Sequence, residues 1–540
     1  MLKRQIKQKI DEILSKLVKD EFREIPSFAV EIPPKEFESD LACNIALLTG
    51  KILKKNPREL AKQFIDLLCS ELKPGIVREI DIAGPGFINI RLSQKFLVGS
   101  FDSCIKNNFK FDYSEKKENV CIEFVSANPT GPLHVGHGRG AAIGDSLARI
   151  YEHGGARVVR EYYVNNLGNQ IDILGKSVEA RIKELKGEQA ELPQDGYKGG
   201  YIKDLAKQYI DGGRKDEIKK YSYEIVLSNI KNDLLKFGVE FDKWSFENLF
   251  HDNGLLEVAL KQLEKKGIIY RNEGALWLSS STMGDEKDRV VRRTDGRYTY
   301  LASDIAYHYD KLNRNFDRII NIWGADHHGY QKRLEAVMKS FGFNLEMLHI
   351  VFYQLVRLLR SKQIVPMSTR AGEFIALKEV IDEVGKDACR FFFLLRSPES
   401  HLDFDLELAR KHTSENPVYY VQYAHARICS IFREALKKNI VFNNDVPNEK
   451  ILSEKQEIDL IKQVVFFPDM LYSCIKDATP HYITTYLIEC VKKFHAYYDN
   501  HRVISEDIQL TQARLYLING VKKMIAMGLH LLGIDSPEKM

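Results

Sequence analysis

The feature that most constrains the fold is a strand–turn–helix–strand pattern in the second quarter of the chain. CIEFVSA (121–127) and RVVREYYV (157–164) have the apolar, β-branched composition of buried strands. The stretch GRGAAIGDSLARIYEHGG between them has helical periodicity and ends at the Gly154-Gly155 stop signal. One βαβ unit of this kind predicts a parallel sheet that binds its ligands at the carboxyl ends of the strands.

The rest of the chain predicts further regions around this unit. Alternating residues on both sides of a Gly-Pro-Gly turn (84–86) indicate paired strands in an N-terminal α+β unit, and lysine-rich residues 107–117 indicate a linker. Strand-like runs at 318–326 and 348–356 indicate that the sheet resumes after a polar, helical insertion, and helical periodicity dominates thereafter. The predicted boundaries are 1–113 for the N-terminal unit, 114–375 for the α/β domain with an insertion at about 186–290, 376–410 for a connecting segment and 411–540 for a helix bundle.

Composition restricts location more than it restricts function. The net charge of +4 on 540 residues permits nucleic-acid binding without implying it. The eight cysteines contain no Cys-x-x-Cys pair, so we expect buried free thiols in a reducing compartment and no zinc site. The basic N-terminus is amphipathic, and no apolar run is long enough to span a bilayer. A cytoplasmic protein without a membrane partner is expected.

The turn SANPTGPLHVGH (126–137) carries the strongest chemical signal. If it joins the first strand of the sheet to the first helix, His134 and His137 lie at a helix amino end, where anions are favoured. Both imidazoles could then donate hydrogen bonds to a phosphate, and Gly136 would allow close approach of the backbone. Two surface histidines in a turn are the alternative, and a bare His-x-Gly-His would favour it. The flanking strand and helix favour the phosphate interpretation.

SANPTGPLHVGH resembles the HIGH signature of class I aminoacyl-tRNA synthetases, in the form found in arginyl-tRNA synthetases. The resemblance extends over nearly the whole chain, more loosely in the insertion. Elements that match the same family in the same order are VNNLGNQ (164–170), YLASD (300–304), GADHHGY (324–330), MSTRAGEF (367–374), NPVYYVQYAHAR (416–427) and LLGIDSPEKM (531–540).

The resemblance implies an α/β protein with a Rossmann-type class I catalytic domain built on a parallel sheet. It also implies an N-terminal α+β domain that contacts tRNA, a connecting segment that contacts the tRNA stem, and a C-terminal α-helical anticodon-binding bundle. The implied reaction activates L-arginine with ATP and Mg²⁺, without zinc, and transfers it to tRNA(Arg); the family default is a monomer. The alternatives are another class I enzyme, cysteinyl or glutaminyl, and a catalytically silent paralogue that binds tRNA.

The resemblance also assigns site residues. The implied catalytic residues are His134, His137, Met367, Ser368 and Arg370. The implied ATP-binding residues are Ala127, Asn128, Pro129, Thr130, Gly131, Pro132, Leu133, His134, Val135, Gly136, His137, Gly324 and Asp326. The implied arginine-binding residues are Glu123, Ser126, Asn128, Tyr300 and Asp304. The implied tRNA-binding residues are Asn44, Tyr419 and Tyr423. His327 and His328 stay unassigned, and no metal site is expected, since no third separated ligand completes one.

The residue types suit a guanidinium, which is planar, permanently charged and carries five donors. Glu123 and Asp304 would be costly in a cleft without a positive partner, and a bound guanidinium would satisfy both. Tyr300 lies four residues before Asp304, hence on the same face if this segment is helical. The alternative is that Asp304 caps a helix or pairs with a lysine.

The chain departs from the family at PMSTR (366–370). Pro366 and Thr369 stand where the signature Lys-Met-Ser-Lys-Ser has its lysines, the second of which usually neutralises the departing pyrophosphate. Another cation must then take that role. Arg370 is nearest in sequence and is our choice; Arg360 and Lys362 lie just upstream, on the same predicted loop.

Overall fold

The structure is a computed structural model. In the described part of the chain, no helix is long and apolar enough to cross a membrane. The described residues are 2–17, 27–34, 38–71, 75–114, 116–214, 217–365 and 375–540.

The N-terminal unit is an antiparallel sheet flanked by helices. The Gly-Pro-Gly turn confirms its predicted role, because Gly84 and Gly86 both adopt positive φ and join two paired strands. Its strands lie in the order β1-β2-β4-β3. The elements are α1 (Leu2–Leu17), β1 (Val30–Glu31), β2 (Leu41–Cys43), α2 (Ile45–Leu53), α3 (Pro57–Glu71), β3 (Val77–Ala83), β4 (Phe87–Leu92) and α4 (Gln94–Lys106).

The predicted linker is anchored to the body of the protein. Its described residues form no helix or strand, as expected. Phe109 and Phe111 are nevertheless buried, and the Phe109 ring packs edge-on against Phe467, with 5.4 Å between ring centroids. The apolar side chains in this lysine-rich stretch therefore fix the N-terminal unit to the helical half.

The core of the α/β domain is a five-stranded sheet whose neighbouring strands are all parallel. The chain enters at the central strand, builds two strands on one side, then crosses to build two on the other. The strand order is therefore β12-β11-β5-β6-β7, and the order reverses between β5 and β11. The strands are β5 (Asn119–Glu123), β6 (Arg157–Val164), β7 (Lys243–Phe246), β11 (Arg318–Gly324) and β12 (Leu348–Tyr353). Ligands bind at such a switch point in doubly wound sheets.

The first strand is shorter than the sequence predicts. Strand β5 ends at Glu123, whereas the apolar run continues to Ala127. Val125 and Ser126 adopt positive φ, of 68° and 40°, which turns the chain out of the sheet. The extra apolar residues are thus used in the turn that leads to the two histidines.

Helix α5 (Val135–His153) packs closely on the sheet because small residues line it. A Cβ atom on Gly144 would lie 2.2 Å from Cγ of Phe124, and one on Gly140 would lie 2.9 Å from the Tyr353 ring. The helix ends before Gly154-Gly155, as predicted.

The predicted insertion at about 186–290 is wrong as a single helical excursion, because β7 lies within it and pairs with β6. Three helices precede β7, and a second excursion with its own three-stranded sheet (order β10-β9-β8) follows it. Short apolar runs at edge positions hid these strands from periodicity. The elements are α6 (Asn169–Leu185), α7 (Gly200–Asp211), α8 (Ile218–Lys236), α9 (Glu247–Asp252), α10 (Leu255–Lys265), β8 (Ile269–Asn272), β9 (Ala275–Leu278), β10 (Arg289–Arg292), α11 (Tyr300–Asn313) and α12 (Gln331–Ser340).

The region after the sheet is not wholly helical, contrary to prediction. Strand β15 lies beyond residue 376 and pairs in parallel with β13. Periodicity did not predict it, because a strand of four residues is too short to show a period of its own. The elements are β13 (Val356–Arg360), β14 (Gln363–Ile364), α13 (Leu377–Val384), α14 (Lys386–Phe393), β15 (Leu402–Asp405) and α15 (Leu406–Arg410).

The C-terminal bundle follows the predicted helical periodicity. Pro417 occupies the first turn of its first helix, and Asn416 caps that helix by accepting from the Val418 amide. On α19 the predicted apolar face is buried at Ile483 and Leu487. The helices are α16 (Pro417–Lys437), α17 (Lys455–Val465), α18 (Phe467–Lys476), α19 (His481–Asn500) and α20 (Ile508–Leu531).

Candidate active site

The two histidines form a reciprocal cap at the amino end of α5. His134 is the N-cap, and its Nδ1 accepts from the amides of Gly136 (3.1 Å) and His137 (3.4 Å). In return Nδ1 of His137 accepts from the His134 amide at 3.3 Å. The rings stack with 3.7 Å between centroids. Gly136 is needed for this, because a Cβ there would lie 2.9 Å from Cε1 of His134.

Burial and this cap together determine the charge and the tautomer of both imidazoles. Burial lowers the pKa of His134, which Asp326 offsets in part, and lowers that of His137 well below its usual value. Each ring is therefore neutral near neutral pH. Because Nδ1 accepts from the backbone, the single proton lies on Nε2. Each ring thus keeps one donor for a ligand.

The histidine pair lines a cavity of about 560 Å³ between the turn and the helices after β6. Thr130 and Gly131 form one wall, and Tyr197, Lys198 and Tyr201 form the other. A hydrogen bond of 2.8 Å from the Tyr201 hydroxyl to the Thr130 carbonyl joins the walls. The predicted residues Ala127, Asn128 and Pro132 also line it.

A second cluster at the same edge of the sheet is acidic. Glu123 ends β5, Glu247 directly follows β7, and Asp304 lies in the second turn of α11. Glu123 and Glu247 are buried, and both raise the pKa of Asp304 electrostatically. The side chains of Ser303 and Tyr163 hydrogen-bond to Glu247, whose pKa burial raises. Three carboxylates therefore converge where the fold predicts a ligand.

Glu123 already has a positive partner in the protein itself. Nζ of Lys311, which is fully buried, donates to Glu123 at 2.5 Å and to Asn321 Oδ1 at 3.2 Å. Burial acts to lower the pKa of Lys311, and Glu123 raises it above its usual value. We expected Glu123 to have no positive partner until the substrate binds. This expectation is wrong, because Lys311 of α11 already pairs with it.

Asp304, like Glu247, forms no ion pair with any residue that the structure describes. Burial raises its pKa to about 7, although the Tyr330 hydroxyl donates to it and Arg333 lies near. It retains a proton over part of the physiological range, because Glu123 and Glu247 repel a third charge. Neither the helix-cap nor the lysine-pair alternative describes Asp304, which lies inside α11 and pairs with no described lysine.

The remaining residues predicted to bind arginine lie at this cluster, at the start of α11 and at the histidine cavity. The Ser126 hydroxyl donates to Glu123 at 3.0 Å and accepts from the Tyr163 amide. Tyr300 begins α11 one turn before Asp304, as predicted, but is 61% exposed, at the entrance to the site. Asn128 donates to Gln170 Oε1 at 2.7 Å, across the mouth of the cavity.

The GADHHGY segment lies at the end of β11, on the other side of the switch point. Asp326 is close enough to His134 to raise its pKa, so the two motifs face each other. His327 approaches Asp326 at 3.5 Å, and His328 stacks on Phe352. In the described residues there is no group of three or more His, Cys, Asp and Glu side chains placed to hold a metal.

The structure describes only the residues on either side of the predicted leaving-group loop. Met367, Ser368 and Arg370, with Pro366 and Thr369, lie outside the described residues. The chain on their far side returns to the site, because the Leu377 amide donates to the Leu133 carbonyl at 2.7 Å. Upstream, Arg360 and Lys362 belong to the β13–β14 hairpin rather than to a loop, and Arg360 pairs with Glu383.

The predicted tRNA contacts lie far along the chain from this cleft. Asn44 accepts from the Ala29 amide at 2.9 Å and so holds the N-terminal unit together. Tyr419 and Tyr423 lie one turn apart on α16, half-buried, with nearly parallel rings 6.1 Å apart.

Sequence reasoning missed four residues that the fold brings to the site. Tyr330 ended a segment that was recognised, so its hydroxyl was a visible signal. Glu247 and Lys198 lay inside the supposed insertion, and Lys311 followed Asp304 by two helical turns without any motif.

A doubly wound parallel sheet with a His-x-Gly-His turn at its switch point defines the catalytic domain of a class I aminoacyl-tRNA synthetase. Known families agree: residues 102–393 match "tRNA synthetases class I (R), catalytic domain", residues 4–92 match "Arginyl tRNA synthetase N terminal domain", and residues 421–540 match "DALR anticodon binding domain".

Individual relatives indicate which class I family the chain belongs to. The arginine–tRNA ligase of Desulforamulus reducens is 43% identical over 531 residues, covering 96% of this chain and 94% of the relative. That of Staphylococcus epidermidis is 42% identical and covers 99% of both chains. The Thermus thermophilus arginyl-tRNA synthetase structure has a TM-score of 0.80 at 22% identity, with 100% of both chains covered, and so shares the fold. The chain belongs to the arginyl-tRNA synthetase family, and its activity is that of an arginine–tRNA ligase.

Proposed function

We propose that one cleft at the carboxyl edge of the sheet carries out both steps of arginine ligation. In the first step the arginine carboxylate attacks the α-phosphorus of ATP, which gives arginyl-adenylate and releases pyrophosphate. In the second step a ribose hydroxyl at the 3′ end of tRNA(Arg) attacks the adenylate and displaces AMP. The histidine turn serves the phosphates, and the acidic cluster serves the amino acid.

His134 and His137 would act as neutral donors to the α-phosphate. Their Nδ1 atoms are occupied by backbone amides, so the Nε2–H groups remain for the ligand. Donors fixed in this way stabilise charge that develops on phosphate oxygens without reorganising during the reaction. The backbone from Ala127 to Gly136 would follow the phosphates, and Gly324 and Asp326 would contact the adenosine.

Asp304 and Glu247 would bind the guanidinium. A guanidinium offers a fork of donors that fits carboxylates, and its charge would replace the proton that Asp304 retains in the free protein. Glu123, held by Lys311 and Ser126, would accept from the amino-acid end or from the side chain without requiring further charge. Asn128 and Tyr300 would orient the substrate at the entrance.

The remaining assignments rest on the family resemblance. Met367, Ser368 and Arg370 would assist release of pyrophosphate, while Asn44, Tyr419 and Tyr423 would contact tRNA(Arg). Mg²⁺ would enter as its complex with ATP, held by phosphate and water, which suits its usual mode of binding. We expect no zinc, since the cysteines form no chelating pair. We further propose a monomer that acts in the cytoplasm.

The observation that carries the proposal is the convergence of Glu123, Glu247 and Asp304 at one edge of the sheet, where Lys311 pairs with Glu123 and leaves the other two carboxylates to a substrate cation. The test is amino-acid-dependent exchange of pyrophosphate into ATP, measured with each amino acid in turn, with and without tRNA(Arg). Arginine alone should support exchange. Exchange with cysteine or glutamine would indicate a different class I enzyme, and no exchange under any condition would indicate a silent paralogue.

Asp304→Ala is the variant that tests the pocket. The KM for arginine should rise about tenfold to a hundredfold, because a charge-assisted hydrogen bond is lost, while the KM for ATP changes little. Asp310→Ala, on the same helix but paired with Lys243 and Arg314, is the control and should leave the KM for arginine unchanged. An equal rise in both KM values for Asp304→Ala would contradict the assignment.

A further inference from the structure

The cavity at the histidine pair is short of positive charge. Its lining residues include two histidines, which burial keeps neutral, together with Asp195 and Lys198. Lys198 is thus the one permanent cation among the lining residues that the structure describes. A triphosphate carries several negative charges, so a site that removes it from water must supply positive charge or fixed donors.

The loop that carries Lys198 is fixed on both sides. Before it, the Tyr197 amide donates to Ser177 Oγ of α6 at 3.1 Å. After it, the Tyr201 hydroxyl donates to the Thr130 carbonyl on the opposite wall. A Cβ on Gly131 would lie 3.1 Å from that hydroxyl oxygen, so the two walls are in close contact. The position of Lys198 beside the histidine turn therefore belongs to the folded structure.

Lys198 has no competing partner. Lys198 is exposed and is one of the residues that line the cavity, and it forms no hydrogen bond or ion pair with any residue that the structure describes. Gly199 and Gly200 follow it at the start of the twelve-residue helix α7, where no side chain caps the free amides. A Cβ on Gly200 would meet nothing within 4 Å, whereas one on Gly199 would lie 2.6 Å from the Tyr201 ring, so this helix end is open at Gly200. A lysine and uncapped amides together favour an anion.

We propose that Lys198 binds the β- and γ-phosphates of ATP and neutralises the pyrophosphate that leaves during arginine activation. A carboxylate oxygen of arginine bonds to the α-phosphorus, and the bond from that phosphorus to the α,β-bridging oxygen breaks. The electron pair leaves with pyrophosphate, next to the Lys198 ammonium group and the amides of α7. This inference rests on the proposed function, since it takes ATP as the ligand. Lys198 would thus supply the positive charge that the signature lysine supplies in the family and that Thr369, at that position, does not carry.

The test compares Lys198→Met, Lys198→Arg and a control, Lys203→Met, in the full chain with arginine, ATP and tRNA(Arg). Lys203 is exposed in the first turn of α7, five residues after Lys198; it does not line the cavity and has no described partner. Lys198→Met should lower the kcat of exchange about a hundredfold, the lower end of what loss of one fixed donor costs elsewhere. The KM for pyrophosphate in the reverse reaction should rise, while the KM for arginine stays constant. Lys198→Arg should retain most activity, and Lys203→Met all of it.

The failures are distinguishable. Unchanged kcat and unchanged pyrophosphate KM in Lys198→Met would overturn the role of Lys198 and leave the proposed function standing. A parallel rise in the KM for arginine and pyrophosphate, without rescue by Lys198→Arg, would indicate a structural role and also overturn it. Absence of arginine-dependent exchange in the unaltered protein would instead overturn the proposed function.

Discussion

At the scale of single residues, the chemistry depends on side chains whose charge the fold controls. Asp304 has a pKa of about 7 because it is buried beside Glu247 and Glu123, and among the described residues Tyr330 alone donates a hydrogen bond to its side chain. Lys311 is fully buried but stays charged, because Glu123 is its direct partner. The free site thus retains one exchangeable proton, which a substrate cation can displace.

Arginine binding should therefore depend on pH. At a pH below its pKa of about 7, Asp304 must lose its proton before it can pair with the guanidinium. The apparent affinity for arginine should therefore fall about tenfold between about pH 8 and about pH 6. Calorimetry in buffers of different ionisation enthalpy should detect proton release on binding at the lower pH. Asp304→Asn should abolish both effects. An affinity that does not change with pH would contradict the assigned pKa.

The same pKa has the opposite effect on stability. A carboxyl group whose pKa is raised by folding loses its proton first in the unfolded chain, so the free protein loses stability as pH rises from about 4 to about 7. Asp304→Asn should then raise the unfolding temperature above neutral pH, which thermal denaturation can check in the same samples.

At the scale of elements, the position of the histidines depends on how closely α5 approaches the sheet. Gly144 allows this approach, since a Cβ would lie 2.2 Å from Phe124, which is itself fully buried. Phe124 also packs against Phe241, with 4.4 Å between centroids, so it has little room to move. The helix amino end that carries His134 would shift if this contact were forced apart.

Gly144→Ala should destabilise the protein by about 1–3 kcal/mol through overpacking, although alanine is the better helix former. Gly99→Ala in α4 is the matched control, because its Cβ would meet nothing within 4 Å; it should be neutral or stabilise by up to about 1 kcal/mol. Denaturant midpoints measure both. Equal shifts for the two variants would show that propensity, not packing, decides at Gly144.

At the scale of the whole molecule, one buried arginine joins segments that are far apart in sequence. Arg390 on α14 donates to Asp145 of α5 (2.6 Å), to the Leu532 carbonyl after α20 (2.6 Å) and to the Phe237 carbonyl after α8 (3.2 Å). Gly533 makes room for it, since a Cβ there would lie 2.5 Å from the guanidinium carbon. The helical half is thus attached directly to the helix that carries the histidines.

Arg390→Met should lower the free energy of unfolding by about 3–5 kcal/mol, because it leaves the buried Leu532 and Phe237 carbonyls without this donor and removes one of the cations that pair with Asp145. It should also separate the unfolding of the C-terminal bundle from that of the catalytic domain in calorimetry. Lys386 lies on the same helix as Arg390 and forms a partly exposed pair with Asp535. Lys386→Met should cost less than about 1 kcal/mol. A small effect of Arg390→Met with a single transition would contradict this role.

The sequence by itself determined what depends on neighbouring residues: the βαβ unit, the Gly-Pro-Gly hairpin, the apolar faces of the C-terminal helices and the paired histidines at a helix amino end. These follow from periodicity and local capping, which act within a few residues. Tertiary structure alone decided that Lys311 neutralises Glu123 across 188 residues, that β7 joins the sheet, and that Glu247, Tyr330 and Lys198 reach the cleft. Such contacts depend on how distant segments pack, and no local pattern encodes the charge balance that they create.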